Sequence, residues 1–186
     1  MTNPRRTARV PHTLLGLLTA LVLAGCGSPA VTPASEDLQL EATQAELMVA
    51  VTPQQVGQPR PFEGSQVIMD PGASGGSAVI LLSTHQTVTF KLPNNLKAQE
   101  YTVSIVGRGE QYMGPPQVSL SSVDGPDRIV TLDNTQYEKR SFGRMQLSPG
   151  GTITLTFVND LYNEATKQDR NAVVDYLQIN QSKSGK

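Results

Sequence analysis

Gly151-Thr-Ile-Thr-Leu-Thr-Phe157 is the clearest structural signal in this sequence. Polar and apolar residues alternate along it without a break, and a period of two is typical of a β-strand with one buried face. We therefore predict a strand here, with Ile153, Leu155 and Phe157 directed into a hydrophobic core and the intervening threonines on the opposite face.

Weaker copies of this alternation recur along the chain, separated by turn signals. The apolar positions with this spacing are Val88 and Phe90, Tyr101, Val103 and Ile105, Val118 and Leu120, and, less cleanly, Ile129 and Leu132. The turn signals are Pro71-Gly72, Gly75-Gly76, Pro93-Asn94-Asn95, Asp124-Gly125-Pro126 and Ser148-Pro149-Gly150-Gly151. About ten short strands predict an all-β fold, a single jelly-roll-like antiparallel β-sandwich over residues 37–181. Only Thr43–Val51 could be helical, and it could equally extend the first strand.

The N-terminal segment has the three parts of a bacterial lipoprotein signal peptide. Three arginines precede an apolar stretch, Leu14–Ala24, which is shorter than the roughly 20 residues of a transmembrane helix. Leu23-Ala24-Gly25-Cys26 resembles a lipobox, in which the cysteine is lipidated and becomes the mature N-terminus. The alternative is an ordinary signal peptide with an incidental cysteine, but the only cysteine of the chain lies at the position that a lipobox requires.

This leader predicts a protein that works outside the cytoplasm, in the cell envelope, held to the outer membrane or cell surface by the lipid on Cys26. Residues 1–25 would be removed, residues 26–36 would form a tether, and residues 182–186 would form a short tail. The proline-containing stretch from Thr52 to Gly64 reads as a surface loop of the domain.

Charge and composition exclude several classes of function. Loss of the three leader arginines leaves 12 basic against 16 acidic residues, a net charge of −4, which does not suit nucleic-acid binding. His85 is the only histidine after the leader, and it lies between two predicted strands as a turn residue. A serine–histidine–carboxylate triad or a copper or zinc site built on several imidazoles is therefore not expected. We predict that the protein is not an enzyme.

The segment from Phe157 to Ile179 carries the main functional signal. A strand ends in Asn159-Asp160, a polar loop follows, and Asp169-Arg170-Asn171 leads into another apolar strand. Asp160 and Asp169 bracket the loop, and hard cations such as calcium bind oxygen ligands of this kind. Composition alone leaves two interpretations open, a solvated hairpin loop or a calcium site.

The same motifs resemble those of the calcium-dependent, xylan-binding type of carbohydrate-binding module. That family has a strand ending in Asn-Asp, then Asp-Arg-Asn, then Val-Asp-Tyr, which match Asn159-Asp160, Asp169-Arg170-Asn171 and Val174-Asp175-Tyr176 here. Weaker matches upstream are Leu40-Glu41-Ala42, Gly75-Gly76, Gly107-Arg108-Gly109 and Gly114-Pro115-Pro116. The resemblance extends over roughly Leu38 to Ile179.

This resemblance implies a Ca²⁺ ion that contacts neighbouring hydroxyls of a polysaccharide or envelope glycan. Carried over by position, Asp160 and Asp169 would be its side-chain ligands, with Glu164 and Asn171 as further candidates. The residues implied in glycan binding are Asn159, Tyr162 and Asn163. Asp175, inside a strand, is expected to have a structural role.

The chain also departs from the family pattern. Ala172 and Val173 replace larger residues, and the chain has no tryptophan to stack on a sugar ring, which leaves Tyr112, Tyr137 and Tyr162 for that role. The alternative function is therefore a non-catalytic envelope structural or assembly subunit, with structural calcium and a surface-layer or outer-membrane protein as its partner. The absence of an accompanying hydrolase sequence favours this alternative.

Overall fold

Two antiparallel β-sheets contain most of the residues that the computed structural model describes, which are 37–47, 64–123 and 125–182. All of these residues belong to one compact unit. The predicted leader, Cys26, the tether and nearly all of the predicted 52–64 loop lie outside the described residues.

Within these ranges the strands follow the turn signals of the sequence closely. In chain order they are β1 (Leu38–Glu41), β2 (Glu46–Leu47), β3 (Ser65–Met69), β4 (Ser77–Leu81), β5 (Thr87–Lys91), β6 (Gln99–Glu110), β7 (Gln117–Ser122), β8 (Gly125–Thr131), β9 (Glu138–Leu147), β10 (Thr152–Phe157), β11 (Leu161–Asn163) and β12 (Gln168–Gln181). A single 3₁₀ turn of the described chain, Ala42–Gln44, separates β1 from β2.

The first sheet has the order β3-β4-β12-β6-β9, with β1 and β11 also paired to β12, and the second has the order β2-β5-β10-β7-β8. We call them the β12 sheet and the β10 sheet. Every pairing is antiparallel, so the predicted β-sandwich is confirmed.

The core lies between the two sheets and contains the rows that alternation predicted. Ile153, Leu155 and Phe157 of β10 are fully buried. In the ladder, Ile153 pairs with Phe90, and Leu155 lies between Val88 and Leu120. The β12 sheet contributes the buried residues Tyr101, Val103, Ile105, Val174, Leu177 and Ile179. Apolar residues at every second position therefore supply each inner face, except between Val174 and Leu177, where the register of β12 shifts.

Three local predictions differ from the structure. Ile129 is 61% exposed because β8 is the edge strand of the β10 sheet, whereas Leu132 is buried just beyond that strand. Gly125 and Pro126, predicted as a turn, begin β8, where an edge strand tolerates proline. In the described part of Thr43–Val51, Thr43 and Gln44 belong to the 3₁₀ turn and Glu46–Leu47 form β2, so this part is neither an α-helix nor a continuation of β1. No helix of the described residues is long and apolar enough to cross a membrane.

Two glycines of β6 allow the chain to pack unusually closely. A Cβ atom on Gly109 would lie 2.2 Å from the Leu132 carbonyl oxygen, and the Gly109 amide donates a 2.8 Å hydrogen bond to the Asn134 carbonyl. A Cβ atom on Gly107 would lie 2.6 Å from the Val173 carbonyl oxygen. The sequence Gly107-Arg108-Gly109 therefore places Arg108 on the outer face while the segment after β8 packs against the inner face.

Candidate functional site

The polar segment predicted from the sequence forms the β11–β12 hairpin. Leu161 pairs with Arg170, Tyr162 with Asp169 and Asn163 with Gln168. The Asn163 side-chain oxygen accepts hydrogen bonds from the amides of Ala165 (3.0 Å) and Thr166 (3.2 Å). Asn163 thereby closes the turn between the two strands, as asparagine side chains commonly do.

Arg170 holds the hairpin against the loop that joins β6 to β7. Its guanidinium donates five hydrogen bonds to backbone carbonyls of the described chain. The acceptors are Tyr112 (3.0 and 2.8 Å), Met113 (2.8 Å), Gly114 (3.1 Å) and Asn159 (2.8 Å). A planar group with five fixed donors is suited to gathering several carbonyls in this way.

The loop held by Arg170 has an unusual backbone. Met113 has a φ of 49° and is 77% exposed, and Gly114 has a φ of 115°. A non-glycine residue at positive φ is uncommon and persists where its surroundings over-determine it. The Arg170 hydrogen bonds to both carbonyls supply that restraint here.

Asn159 and Asn163, predicted to contact glycan, also have structural roles. The Asn159 oxygen accepts from the Gln117 amide (2.6 Å), and its nitrogen donates to the Pro115 carbonyl (3.1 Å). The Asn163 nitrogen donates to the Tyr112 hydroxyl (2.8 Å). Tyr162 is half-buried beside Asp169. Glycan contact by these residues remains a prediction.

The predicted metal ligands lie along one hairpin. Asp160 immediately precedes β11, and its amide donates to the Thr84 hydroxyl (3.0 Å). Asp169 lies on β12, where its side chain accepts from the Arg170 amide (3.0 Å). Glu164 is exposed in the turn, four residues beyond Asp160. The role of Glu164 as a metal ligand remains a prediction.

In the part of the chain that the structure describes, no three carboxylate, histidine or cysteine side chains converge on a common metal position. Calcium takes six to eight oxygen ligands, which include amide and backbone carbonyl oxygens as well as carboxylates. An ion at this hairpin would therefore depend on side-chain amide and backbone carbonyl oxygens as well as on carboxylates.

The side-chain amide of Asn171 would supply such an oxygen. Its side chain is only 5% exposed, and its nitrogen donates a 2.9 Å hydrogen bond to Glu110 on the neighbouring strand β6. Its oxygen is shielded from solvent and has no hydrogen-bond partner. Because a buried polar atom without a partner is costly, this oxygen fits a hard cation. The side-chain oxygens of Asp160, Asp169 and Asn171 are of the kind that calcium binds, and their role as ligands remains a prediction.

A second polar cluster, on the outer face of the β12 sheet, was missed from the sequence. Arg108 forms ion pairs with Asp70 (2.9 Å) and Glu110 (3.2 Å), and its guanidinium lies 5.7 Å from the centre of the Tyr137 ring. The Tyr137 hydroxyl donates to Asp70 (2.7 Å). Through the Glu110–Asn171 hydrogen bond, this cluster is continuous with the candidate site.

The cluster perturbs the acid–base properties of its members. Hydrogen bonds from the Tyr137 hydroxyl, the Gly72 amide and Arg108 lower the pKa of Asp70. Burial and the bond to Asp70 raise the pKa of Tyr137. Asp70 is therefore a stable anion at neutral pH, and Tyr137 stays protonated as its donor.

Asp175 has the structural role that was expected of it. Its carboxylate accepts hydrogen bonds from both the amide and the hydroxyl of Ser74, each 2.9 Å long. It lies where the register of β12 with β6 shifts, between Val174 and Tyr176. Asp175 thus fastens the turn between β3 and β4 to the irregular part of β12.

The sandwich architecture is that of carbohydrate-binding modules. The CBM36-1 domain of a multidomain xylanase from the hindgut metagenome of Trinervitermes trinervoides superposes with a TM-score of 0.55 at 14% identity, covering 80% of this chain and 99% of that domain. A family 35 carbohydrate-binding module from Clostridium thermocellum gives 0.53 at 18% identity, covering 77% and 98%. An exo-β-1,3-galactanase from Phanerochaete chrysosporium gives 0.53 at 17% identity, covering 78% of this chain but 29% of the galactanase. Identities this low establish the fold alone.

The family resemblance predicted from the sequence is confirmed for the C-terminal part of the chain. The family CBM60, described as a Ca-dependent, xylan-binding carbohydrate-binding module, matches residues 102–186. The matched region includes β11, β12 and the loop that Arg170 holds. No curated protein matches the sequence.

Proposed function

We propose that this protein is a lipid-anchored, non-catalytic surface protein that binds a glycan through calcium at the β11–β12 hairpin. The observation that carries the proposal is the solvent-shielded Asn171 oxygen, which lacks a hydrogen-bond partner inside the region that matches the calcium-dependent family. Asp160 and Asp169, which are on the same hairpin, supply the negative charge that a divalent cation requires.

The chemistry of recognition follows from the ion. When bound, calcium supplies coordination positions at which two neighbouring sugar hydroxyls can replace water, which selects sugars by the geometry of the diol. The protein's own part is to hold the donors in place. Arg170 does this for the loop containing Tyr112 and Met113, and Asn163 links the hairpin turn to Tyr112.

Thermal melts test the calcium site. If calcium binds the native state only, a concentration 100 times its dissociation constant should add about 2.7 kcal/mol to the free energy of unfolding. Asp160→Asn and Asp169→Asn should each reduce this gain strongly, because each removes a charged ligand. Asp127→Asn, on the exposed edge strand β8, is the matched control and should leave the gain unchanged.

A solvated loop without an ion predicts a different pattern. Neutralising Asp160 or Asp169 would then relieve repulsion and leave the melting temperature unchanged or slightly raised. A wild-type melting temperature that is the same in calcium and in chelator would reject the calcium site, and calcium-mediated glycan recognition with it.

Titration with xylan oligosaccharides tests recognition itself. Binding that appears with calcium and disappears with chelator is the expected result. Calcium binding without any affinity for soluble glycans, together with a chelator-sensitive complex with an envelope protein, would instead favour the assembly subunit.

The membrane anchor requires a separate test. Cys26→Ser should release the protein from membranes or block processing of the leader, while the domain stays folded. A variant that remains membrane-bound after its leader has been removed would show that a lipid on Cys26 is not the anchor.

A further inference from the structure

We infer that Glu110 is a positioning residue of the calcium site and acts by orienting the side-chain amide of Asn171. This inference rests on the proposed function, since it assumes that a cation binds at the hairpin. Glu110 lies outside the Asp160–Asn171 segment and was not among the residues predicted from the sequence. It pairs with Asn171 across the β6–β12 ladder.

The orientation of the Asn171 amide follows from simple donor–acceptor chemistry. An ionised carboxylate can only accept hydrogen bonds, so the amide atom that faces Glu110 at 2.9 Å must be the nitrogen. The amide is planar, and the oxygen is therefore directed away from the Glu110 carboxylate. Without this partner, nothing in the hydrogen bonding of Asn171 would distinguish one orientation of the amide from the reverse.

The Asn171 oxygen is directed away from β6, and the candidate ligands lie along the N-terminal part of β12. Arg170, the residue before Asn171, pairs with Leu161 at the start of β11, and Asp160 precedes Leu161. The Asp160 amide is bonded to Thr84, in the segment that follows β4, and β4 flanks β12 on the side opposite β6. An oxygen in this orientation can bind a cation at the start of the hairpin. An amide nitrogen in its place would repel the cation through its hydrogens.

Glu110 is itself held in place. Arg108 donates a 3.2 Å hydrogen bond to the second Glu110 oxygen, so the two carboxylate oxygens have separate partners, Arg108 and Asn171. Arg108 is in turn bonded to Asp70 through two of its nitrogens. The outer-face cluster therefore supports the calcium site through one chain of side chains.

This arrangement makes an isosteric substitution informative. In Glu110→Gln the side chain keeps its shape but has one oxygen for two donors. The Arg108 guanidinium is always protonated and should donate its hydrogen bond to that oxygen. The new amide nitrogen is then left facing Asn171. Two opposed nitrogens repel, so the Asn171 amide should turn over and present its own nitrogen to the ion.

The test is calcium titration calorimetry in the absence of glycan. Partners that orient metal ligands typically contribute 10- to 100-fold in metal affinity, so Glu110→Gln should weaken calcium binding by about tenfold. Glu138→Gln is the matched control. Glu138 is an exposed glutamate on β9 that accepts a hydrogen bond from Arg140, and its substitution should leave the affinity unchanged.

A second substitution separates orientation from simple loss of charge. Glu110→Asp keeps the negative charge but shortens the side chain by one methylene group, so its carboxylate should no longer reach the Asn171 amide, which it contacts at 2.9 Å in the wild type. If Glu110 acts by orienting Asn171, Glu110→Asp should weaken calcium binding about as much as Glu110→Gln. If Glu110 acted only through its charge, Glu110→Asp would bind calcium as tightly as the wild type.

The outcomes distinguish this inference from the proposed function. Calcium binding by the wild type with equal affinity in Glu110→Gln would overturn the positioning role alone. A wild type that does not bind calcium would overturn both. Melting temperatures without calcium, expected to differ little between the wild type and Glu110→Gln, verify that the variant is folded.

Discussion

The interior of the sandwich and the β11–β12 end of the same molecule are held together in different ways. Between the sheets, Leu155 and Phe157 are two members of a large, fully buried apolar set drawn from both sheets. At the hairpin, one side chain, Arg170, restrains the loop at Tyr112–Gly114 and the start of the hairpin at Asn159. Interior stability is therefore shared among many residues, whereas the geometry of the site depends on a few.

This difference has a physical origin. Apolar burial is non-directional and adds up over area, so the interior needs only the right pattern and volume. Hydrogen bonds to carbonyls and to buried amides are directional, and each donor must lie at a particular place. Substitutions should consequently reduce stability when made in the interior and reduce binding when made at the hairpin.

The largest effect on stability is expected in the core. Phe157→Ala should lower the free energy of unfolding by about 3–5 kcal/mol, because it removes a fully buried aromatic side chain and leaves a cavity. Urea denaturation measures this change. Thr156→Ala, the neighbouring residue on the opposite face of β10, is the control and should cost less than about 1 kcal/mol. Equal costs for the two variants would contradict the assignment of the buried face.

A smaller loss is expected where the β6 backbone meets the segment after β8. Gly109→Ala would place a Cβ atom 2.2 Å from the Leu132 carbonyl oxygen, so the backbone must shift, at a cost of about 1–3 kcal/mol. Gly75→Ala is the control, since a Cβ atom there meets nothing within 4 Å. Chemical denaturation of both variants checks the difference, and a fully stable Gly109→Ala would show that this close approach is not required.

Arg170→Gln should separate site geometry from global stability. Water can reach the freed carbonyls of exposed Met113 and Gly114, so unfolding should become easier by only about 1 kcal/mol. The loop at residues 111–116 should nevertheless show much faster amide hydrogen exchange, while exchange in β10 stays slow. Unchanged exchange in the loop would mean that Arg170 does not restrain it.

The smallest effect concerns acid pH and the outer face. The pKa of Asp70 is lowered in the folded state, so its contribution to stability is complete above the unfolded value, near 3.8, and is lost as the pH falls through the folded value. Asp70→Asn should remove this contribution, which is under about 1 kcal/mol for a pair near the surface. Stability measured between about pH 2 and pH 6 should show an intermediate loss for Tyr137→Phe, which removes the strongest of the hydrogen bonds that lower the pKa. A Tyr137→Phe profile identical to the wild type would contradict the role of this hydroxyl.

Much of the fold could be predicted because its signal is local. Alternation over Thr152–Phe157 identifies a strand and its buried face from six residues. Alternation failed to predict the exposure of Ile129. An edge strand has the same residue preferences as a central strand, but fewer neighbouring residues cover its side chains. Asp160, Asp169 and Asn171 were likewise predicted as ligands from a motif confined to one hairpin.

The remainder of the site could not be predicted in this way because its contacts are distant in sequence. Arg170 and Tyr112 are 58 positions apart, and Asn171 and Glu110 are 61 positions apart. Arg108 was noted only as part of a Gly-Arg-Gly motif, with no indication that it joins Asp70 to Glu110. Finding these partners from the sequence would have required the register of β12 on β6.

By itself, the sequence determined that this is an antiparallel β-sandwich with an oxygen-rich hairpin near its C-terminus. Apolar periodicity selects the buried face, and a polar run between two predicted strands indicates a connection at the surface. The tertiary structure alone decided which of those polar groups are held by hydrogen bonds within the protein and which could bind an ion. That choice depends on pairing between strands that are far apart in the chain, which places Glu110 beside Asn171 and directs the Asn171 oxygen away from it.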